Sequence, residues 1–383
     1  MSGCFDSLGE FISALEAAGE LVRIRHPVSA RLEVTEIADR VMKQPGGGKA
    51  LLFENVLRHD GTRSPYPLAI NLFGSKRRMA MALGVQDLDE VGARIASMLE
   101  LKVPEGFLAK LALLPRLLEV AKFPPRRFTG APPCQEIVWR GREVDVMRLP
   151  VITCWPGDAG PYITLPMVVS RDPVRGTRNV GMYRVQVLGP DSLAMHWQRH
   201  KGGAEHQRVA QDIGAEKIPV AVSLGGDPAI IWAGSAPLPN DIDEMMLAGW
   251  LRGKSVELVR CVTQPIEVPA DAEIVIEGYV NPREQKLEGP FGDHTGYYSN
   301  ADYYPVMHVT AITHRRDAIY PATIVGKPPM EDAWMGKATE RLFLPLIKMF
   351  QSEVVDINLP IEGAFHNLAI VSIKKRYPVN RAK

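Results

Sequence analysis

Polar side chains of several chemical types crowd one predicted β-hairpin near the middle of the chain. Asn179 and Arg184 belong to its first extended run, and His196 and Trp197 follow the turn. The next residues, His200-Lys201-Gly202-Gly203, add a cation and paired glycines. Taken singly, each polar residue is also compatible with a solvated outer face of a strand. Their density favours a different interpretation, the lining of a site for a phosphorylated cofactor.

A second cluster places two carboxylates in a loop rich in glycine. Glu288 and Asp293 are separated by two glycines and a proline, so the loop cannot be a regular helix and must aim the carboxylates from an irregular backbone. Paired, buried carboxylates suit proton transfer, because repulsion and burial raise one pKa until that group holds a proton near neutral pH. A turn with two solvated acids is the alternative. The neighbouring His294 and three aromatic rings favour an active loop.

Acidic residues also cluster just before a predicted helix over residues 245–251. Asp241, Asp243 and Glu244 would there complement the positive end of the helix, and taken alone this structural role is the preferred interpretation.

Hydrophobic periodicity predicts the elements that carry these segments. Residues 5–19 have the spacing of an amphipathic helix ended by Gly19, residues 51–53 and 68–70 form short apolar strands, and residues 87–100 form a helix, which together indicate an α/β unit. The glycines at 46–48 lack the spacing of a phosphate-binding loop and predict a flexible turn.

Residues 104–122 have the apolar spacing of a helical face, and residues 123–127 are a predicted linker. After this point the hydrophobic pattern of the sequence changes. Residues 135–315 contain many short β-branched or aromatic runs, as in a β-barrel or sandwich. A helix over 333–351 and a strand over 367–374 follow. We therefore expect three domains: an N-terminal α/β domain (1–125), a central β-barrel cofactor-binding domain (126–318) and a partial C-terminal α/β domain (319–383).

Composition excludes several classes of function. Lys and Arg number 45 against 44 Asp and Glu, so no broad positive field is available for nucleic acid. No apolar run is long enough for a membrane span, and the N-terminus lacks the features of a secretory signal, so we expect a cytoplasmic protein. Cys4, Cys134, Cys154 and Cys261 are scattered, which predicts reduced thiols and no structural zinc site.

Three motifs, in chain order, resemble the UbiD family of prenylated-FMN-dependent decarboxylases. They are NVGMYR at 179–184, MHW with HKGGA at 195–204, and EGPFGDHTGYY at 288–298. The resemblance covers nearly the whole chain and is closest to the quinone-biosynthesis branch. It implies a mixed α+β fold whose central domain is a split β-barrel like that of flavin reductases. It also implies a carboxy-lyase that removes carbon dioxide from an aromatic or α,β-unsaturated acid, such as a hydroxybenzoate or naphthoate precursor of quinones, in a reaction that is reversible in principle.

The resemblance assigns chemistry to individual residues. Asp293 matches the proton donor, Arg184 the guanidinium that orients the substrate carboxylate, and Glu288 its partner, while prenylated FMN is the electron sink. The metal ligands match Asn179, His196 and Glu244, a set suited to Mn²⁺, with K⁺ expected nearby. The positions that match the family's cofactor-binding residues are Met182, Tyr183, Arg184, His196, Trp197, Gln198, Lys201 and Gly202.

The hairpin geometry constrains one of these ligands. Pairing about the turn at Pro190-Asp191 sets His196 opposite Val185, roughly 20 Å along a regular strand from Asn179. Shared ligation of one ion would therefore need a bulge or strong coiling.

The family resemblance also predicts partners. A flavin prenyltransferase would supply the cofactor, and the chain would form a homo-oligomer. Relatives continue beyond the position of Lys383, so we expect a truncated C-terminal domain. Two alternatives remain open: an FMN-dependent oxidoreductase of the flavin-reductase barrel type, and an inactive, truncated cofactor-binding homologue.

Overall fold

A computed structural model describes residues 4–99, 122–238, 242–365 and 367–375 of the chain. The helices are α1 (Leu8–Ala17), α2 (Glu33–Met42), α3 (Lys76–Ala82), α4 (Asp89–Leu99), α5 (Gly202–Asp212), α6 (Pro228–Ala233), α7 (Glu244–Arg252) and α8 (Glu331–Phe350). The first strands are β1 (Leu21–Ile24), β2 (Val28–Ser29), β3 (Ala50–Phe53), β4 (Val56–Leu57), β5 (Leu68–Ile70), β6 (Arg126–Arg127), β7 (Ile137–Arg140), β8 (Tyr162–Ile163), β9 (Met167–Arg171), β10 (Arg178–Gly181), β11 (Val185–Gly189) and β12 (Ser192–Met195). The remaining strands are β13 (Ile218–Leu224), β14 (Glu257–Arg260), β15 (Glu267–Pro269), β16 (Ile274–Glu288), β17 (Phe291–Gly292), β18 (Tyr298–Ser299), β19 (Asp302–His314), β20 (Tyr320–Pro321), β21 (Val354–Asn358) and β22 (Ile370–Ile373).

The N-terminal helix forms where its apolar spacing predicts. Ser7 caps α1 by accepting a hydrogen bond from Glu10 N at 3.1 Å, and Gly19 follows the helix with a positive φ of 71°. The buried face contains Leu8, Phe11, Ile12 and Leu15. The helix is therefore fixed at both ends by local signals and held in place by its apolar face.

The N-terminal sheet is completed by a strand from much later in the chain. Its order is β1-β3-β5-β20, so β20 lies at the edge beside β5. Tyr320 N donates to Pro67 O at 2.9 Å, and Ala322 N donates to Ala69 O at 2.9 Å. Since every residue of β5 is buried, this pairing satisfies backbone groups that solvent does not reach.

A nine-stranded sheet forms the centre of the protein. Its order is β10-β9-β13-β16-β19-β12-β11-β8, and β7 pairs with β19 outside this path. Apolar side chains alternate between its faces: Val220, Val222 and Leu224 of β13 pack in one core cluster, whereas Ala221 packs in the other. A core on each face allows the strands to be almost entirely apolar.

The expected split barrel is not confirmed. The pairing of the described strands is an open path, in which β10 and β8 lie at opposite ends and do not close on each other. The long strands β16 and β19 pair with each other through two register shifts, which bend the sheet without closing it. The mixed α+β class itself agrees with the expectation.

The hairpin of β11 and β12 forms as predicted, but its register differs by one residue. Met195, not His196, lies opposite Val185, because the register shifts between Val187 and Gly189. The shift leaves Leu188 as the extra residue of a bulge, and His196 falls just beyond the strand.

Other local predictions have mixed outcomes. The helix predicted over 333–351 is α8, and the glycines at 46–48 lie in a turn that leads into β3, as expected. Part of the predicted linker is instead a strand, because Arg126 and Arg127 of β6 pair with β14. The helix predicted over 104–122 lies almost wholly outside the described residues. Within the described ranges, no helix has the length and apolar character that crossing a membrane requires.

Candidate active site

Arg184 joins the two acids that the sequence singled out. It lies between β10 and β11, and its Nε donates to Glu288 Oε1 at 2.8 Å while Nη2 donates to Oε2 at 3.1 Å. Its third nitrogen, Nη1, donates to Asp293 Oδ2 at 2.7 Å. Ser299 Oγ accepts a further hydrogen bond from Nη2 at 3.0 Å. The three residues predicted to be catalytic thus form one hydrogen-bonded network.

Short strands around the loop fix the position of this network. Glu288 is the last residue of β16 and has no exposed surface, and β17 then pairs with β18 so that Phe291 lies opposite Ser299. The Phe291 ring lies under the guanidinium, with Arg184 Cζ 4.6 Å from its centroid. Asp158, which lies far from this loop in the sequence, also holds it in place, because its Oδ1 accepts a hydrogen bond from Gly292 N at 2.7 Å.

The charges of the network contradict the expectation that one acid holds a proton near neutral pH. Burial acts to raise the pKa of Glu288, but hydrogen bonds from His196 and Arg184 outweigh it and lower that pKa. Burial also acts on Asp293, yet His294 and Arg184 lower the pKa of Asp293 to about 2. The guanidinium lies between the acids, so attraction to Arg184 replaces the repulsion expected from their proximity in sequence.

His294 is a site residue to which the sequence assigned no role. Its backbone N and its Nδ1 both lie 2.8 Å from Asp293 Oδ1. The hydrogen bond with Asp293 raises the pKa of His294 above its ordinary value. The sequence did offer one signal for this role: His294 directly follows the predicted acid Asp293. In a turn, the backbone N and the ring Nδ1 of such a residue can both reach one carboxylate oxygen.

His196 belongs to the same network. Its Nδ1 lies 3.1 Å from Glu288 Oε2, and its ring packs 4.3 Å from the Tyr304 ring between centroids. Its backbone N donates to Arg184 O at 3.3 Å, which ties the end of β12 to the start of β11. The imidazole therefore contacts the buried acid directly.

A cavity of about 670 Å³ meets this network at His294, whereas Arg184, Glu288 and Asp293 are not among the described residues that line it. Asn179 and Glu244, two of the predicted metal ligands, line it, whereas His196 is not among the described residues that do. Of the predicted cofactor-binding residues, those that line it are Met182, Tyr183, Gln198, Lys201 and Gly202. Its other wall comes from the C-terminal region, including Asp332 and Phe365.

Asn179 and Glu244 are neighbours across β10 and α7. Val180 N donates to Glu244 Oε2 at 3.0 Å, and Asn179 Nδ2 lies 3.4 Å from Tyr183 Oη. Burial raises the pKa of Glu244 to about 7, because its solvation is lost without a full ion pair in exchange. The guanidinium of Arg178 acts to lower that pKa, but it is hydrogen-bonded to Asp243 and Glu267.

The residues around this end of the cavity fit a phosphate and a cation. Gly202 begins α5 beside Asn179, and a Cβ there would overlap Asn179 Oδ1, so only glycine allows this approach. The helix N-terminus and Lys201 suit an anion, while the amide and carboxylate oxygens suit a hard cation. Across the described ranges, no three His, Cys, Asp or Glu side chains form a metal cage, so a cation here would need oxygens from a bound group as well.

Three family models match the chain, all of them domains of 3-octaprenyl-4-hydroxybenzoate carboxy-lyase. The N-terminal domain matches residues 12–95, the Rift-related domain, UbiD, matches residues 126–328, and the C-terminal domain matches residues 333–383. An uncharacterised protein of Archaeoglobus fulgidus is 51% identical over 374 residues, which cover 98% of this chain and 75% of that protein.

Solved structures of UbiD-class enzymes share the fold. An evolved dimeric form of HmfF from Pelotomaculum thermopropionicum, in complex with prFMN, has a TM-score of 0.83 and 31% identity, with coverage of 98% of this chain and 80% of that one. Vanillic acid decarboxylase of Sedimentibacter hydroxybenzoicus, in its closed form, has a TM-score of 0.83 and 25% identity over 97% of this chain and 75% of that one. From these matches the chain belongs to the UbiD family of carboxy-lyases.

Proposed function

We propose that the protein removes carbon dioxide from an aromatic or α,β-unsaturated carboxylic acid, with prenylated FMN bound in the cavity that meets the Arg184 network. The observation that carries this proposal is the contact of one guanidinium with both Glu288 and Asp293. This network reaches, through His294, a cavity lined by Asn179, Lys201 and other predicted cofactor residues. The complex of HmfF with prFMN supports the choice of cofactor.

The phosphate end of the cofactor would lie at Lys201 and Gly202. Asn179 and Glu244 would hold a divalent cation such as Mn²⁺ against it, with K⁺ nearby at the loop 233–235. His196 uses Nδ1 for Glu288, which leaves Nε2 as the ring nitrogen for any cation. Met182, Tyr183, Trp197 and Gln198 complete the proposed binding set. When bound, prenylated FMN supplies the electron sink for the carbanion that decarboxylation leaves.

The side chains of this chain handle the substrate carboxylate and the proton. Arg184 orients the carboxylate through its planar fork, and Glu288 keeps that fork in position from a fully buried site. Asp293 protonates the ring carbon after carbon dioxide leaves. Phe291, whose ring centroid lies 4.6 Å from Arg184 Cζ, stabilises the guanidinium in this position.

The substrate we propose is a hydroxybenzoate- or naphthoate-type precursor of ubiquinone or a related quinone. The loop at 292–298 supports this choice, since its sequence resembles the quinone-biosynthesis branch. We further propose a cytoplasmic homo-oligomer that receives its cofactor from a flavin prenyltransferase. The three-domain division at residues 125 and 318 belongs to the same proposal.

Reconstitution tests the proposal. The chain is loaded with prenylated flavin, Mn²⁺ and K⁺, bound cofactor is verified by absorbance and intact mass, and a panel of aromatic acids is assayed for carbon dioxide. Release from at least one hydroxybenzoate or naphthoate is expected. Cofactor bound in stoichiometric amount with no carbon dioxide from any acid would contradict the proposal. Rapid reduction of bound FMN by a nicotinamide would instead favour an oxidoreductase, for which the Arg184 network has no evident role.

A further inference from the structure

The contacts of Asp293 pose a problem for a group that must donate a proton. Oδ1 lies within hydrogen-bond distance of the His294 backbone N and of Nδ1, and Oδ2 accepts from Arg184 Nη1. A carboxylate surrounded by donors is an acceptor on both oxygens and carries no proton to give. Before Asp293 can protonate a carbon it must itself receive a proton, from a neighbouring group or from solvent, in each catalytic cycle.

Only one of these neighbours can release a proton. A backbone N–H does not ionise, and a guanidinium stays protonated in proteins. Imidazole is the side chain that ordinarily changes protonation near neutral pH, and the ring of His294 shares a 2.8 Å contact with Asp293 Oδ1. Because the carboxylate is the acceptor, the proton of this hydrogen bond resides on Nδ1.

The imidazole and the carboxylate are about equally exposed, with 27% of the His294 side chain and 25% of the Asp293 side chain accessible, but only His294 is among the described residues that line the cavity. The charged groups that face it are Asp293 in its own loop, Asp332 at the start of α8, and Arg184 behind the acid. The hydrogen bond with Asp293 is the main cause that favours the imidazolium form, whereas burial raises the pKa of Asp332 to about 7, so Asp332 adds its full charge only above that pH.

We propose that His294 is the proton relay that recharges Asp293, an inference that rests on the proposed decarboxylation. The proton on His294 Nδ1 moves to Asp293 Oδ1, and Asp293 delivers it to the carbon that has lost carbon dioxide. The imidazolium becomes neutral imidazole and takes up one proton from water in the cavity. One carboxylate is replaced by one C–H bond, one proton is consumed and no redox change occurs.

The first test needs neither cofactor nor turnover. The ring of His294 is followed by NMR titration in the protein without flavin, with its signal assigned from its loss in His294→Gln. We expect His294 to titrate above the ordinary histidine pKa in the wild type and roughly one unit lower in Asp293→Asn, the smaller end of the effect of losing an adjacent charge. Asp332→Asn provides a second variant with a smaller shift in the same direction. An unchanged titration in both variants would overturn the inference.

The second test separates the relay from the proposed reaction. In the reconstituted wild type, turnover is expected to fall as pH rises through the raised pKa of His294. His294→Gln keeps a hydrogen-bond donor but carries no transferable proton, so its turnover at pH 6 should be roughly a hundredfold lower and should lack that decline. Free imidazole should restore part of the activity of His294→Ala, and His26→Gln serves as the exposed control.

The outcomes are distinguishable. A wild type that releases no carbon dioxide contradicts the proposed function and leaves the NMR titration to decide the proton position. An active wild type whose rate and pH profile are both retained in His294→Gln overturns the relay alone.

Discussion

Arg184 holds Glu288 through two parallel hydrogen bonds, at 2.8 and 3.1 Å, and Glu288 has no exposed surface. A bidentate contact of this kind fixes the plane of the guanidinium as well as its position. The remaining nitrogen is thereby directed at Asp293, so the buried acid sets the direction in which the arginine acts.

Replacing Arg184 separates orientation from charge. Arg184→Lys keeps a cation but cannot form the planar fork, so turnover should fall at least about a hundredfold with modest loss of stability. Arg184→Met leaves Glu288 buried without its main partner and should lower the free energy of unfolding by about 3 kcal/mol or more. Urea denaturation and carbon dioxide release measure the two effects. Equal activity in the lysine variant and the wild type would show that fork geometry is unimportant.

Replacing Asp293 tests the proposed proton donor. Asp293→Asn should lose at least about a hundredfold in turnover, the usual range for removal of a general acid. Asp317→Asn changes an acid that is 89% exposed and should leave turnover unchanged. The assay is run in heavy water and follows two quantities, the release of carbon dioxide and the deuterium bound to carbon in the product. A rate of deuterium incorporation in Asp293→Asn close to that of the wild type would show that Asp293 is not the proton donor.

Glu273 predicts a pH dependence of stability outside the site. It accepts hydrogen bonds from Leu8 N at 3.3 Å and Ile319 N at 3.0 Å, and burial raises the pKa of Glu273 from 4.5 to about 7. Because the folded pKa lies above the unfolded one, its stabilising contribution is complete below pH 4.5 and is lost as pH rises to about 7. The loss amounts to about 3 kcal/mol.

A comparison of variants isolates this contribution. The difference in free energy of unfolding between wild type and Glu273→Gln should change by that amount between pH 4.5 and pH 7.5, measured by urea denaturation at each pH. Glu216→Gln, at an exposed position, should follow the wild type throughout. A constant difference for Glu273→Gln would show that its carboxyl is ionised in the folded protein.

Gly202 provides a test of the phosphate end of the cavity. In Gly202→Ala the new Cβ overlaps Asn179 Oδ1, so either the amide or the start of α5 must move. Flavin affinity, followed by fluorescence titration with FMN, should weaken at least about tenfold, since one charge-assisted hydrogen bond contributes about 1.5–3 kcal/mol. Gly9→Ala, in α1, meets only ordinary contacts and should bind flavin normally. Unchanged flavin affinity in Gly202→Ala would show that the phosphate does not bind at this end of the cavity.

Features set by local sequence were predictable. The first helix, the hairpin of β11 and β12 and the irregular loop after Glu288 all follow from residue spacing and turn chemistry within about twenty residues. The order of motifs also brought Arg184 and the two acids into one hypothesis, and the structure joins the three side chains.

Features set by distant contacts were not predictable. The expected raised pKa at the acid pair was wrong because it was derived from the loop alone, without the charge of Arg184, which is 104 residues before Glu288 and lies between the carboxylates. Asp332 reaches the cavity on α8 with no signal near the motifs. The one-residue shift that moves His196 out of register arises at Leu188, where nothing in the sequence marks a bulge.

Because β20 belongs to the N-terminal sheet, that sheet begins to be synthesised first but cannot be completed until residue 321 has been translated. Ribosomes release β1, β3 and β5 early, yet the strand that covers Leu68–Ile70 emerges only after the whole nine-stranded sheet. Until β20 has been synthesised, the edge of the N-terminal sheet at β5 is unpaired and apolar. Such an edge is prone to aggregation unless a chaperone or the growing central region covers it. The N-terminal sheet is consequently translated first but is among the last parts of the fold to obtain all of its strands.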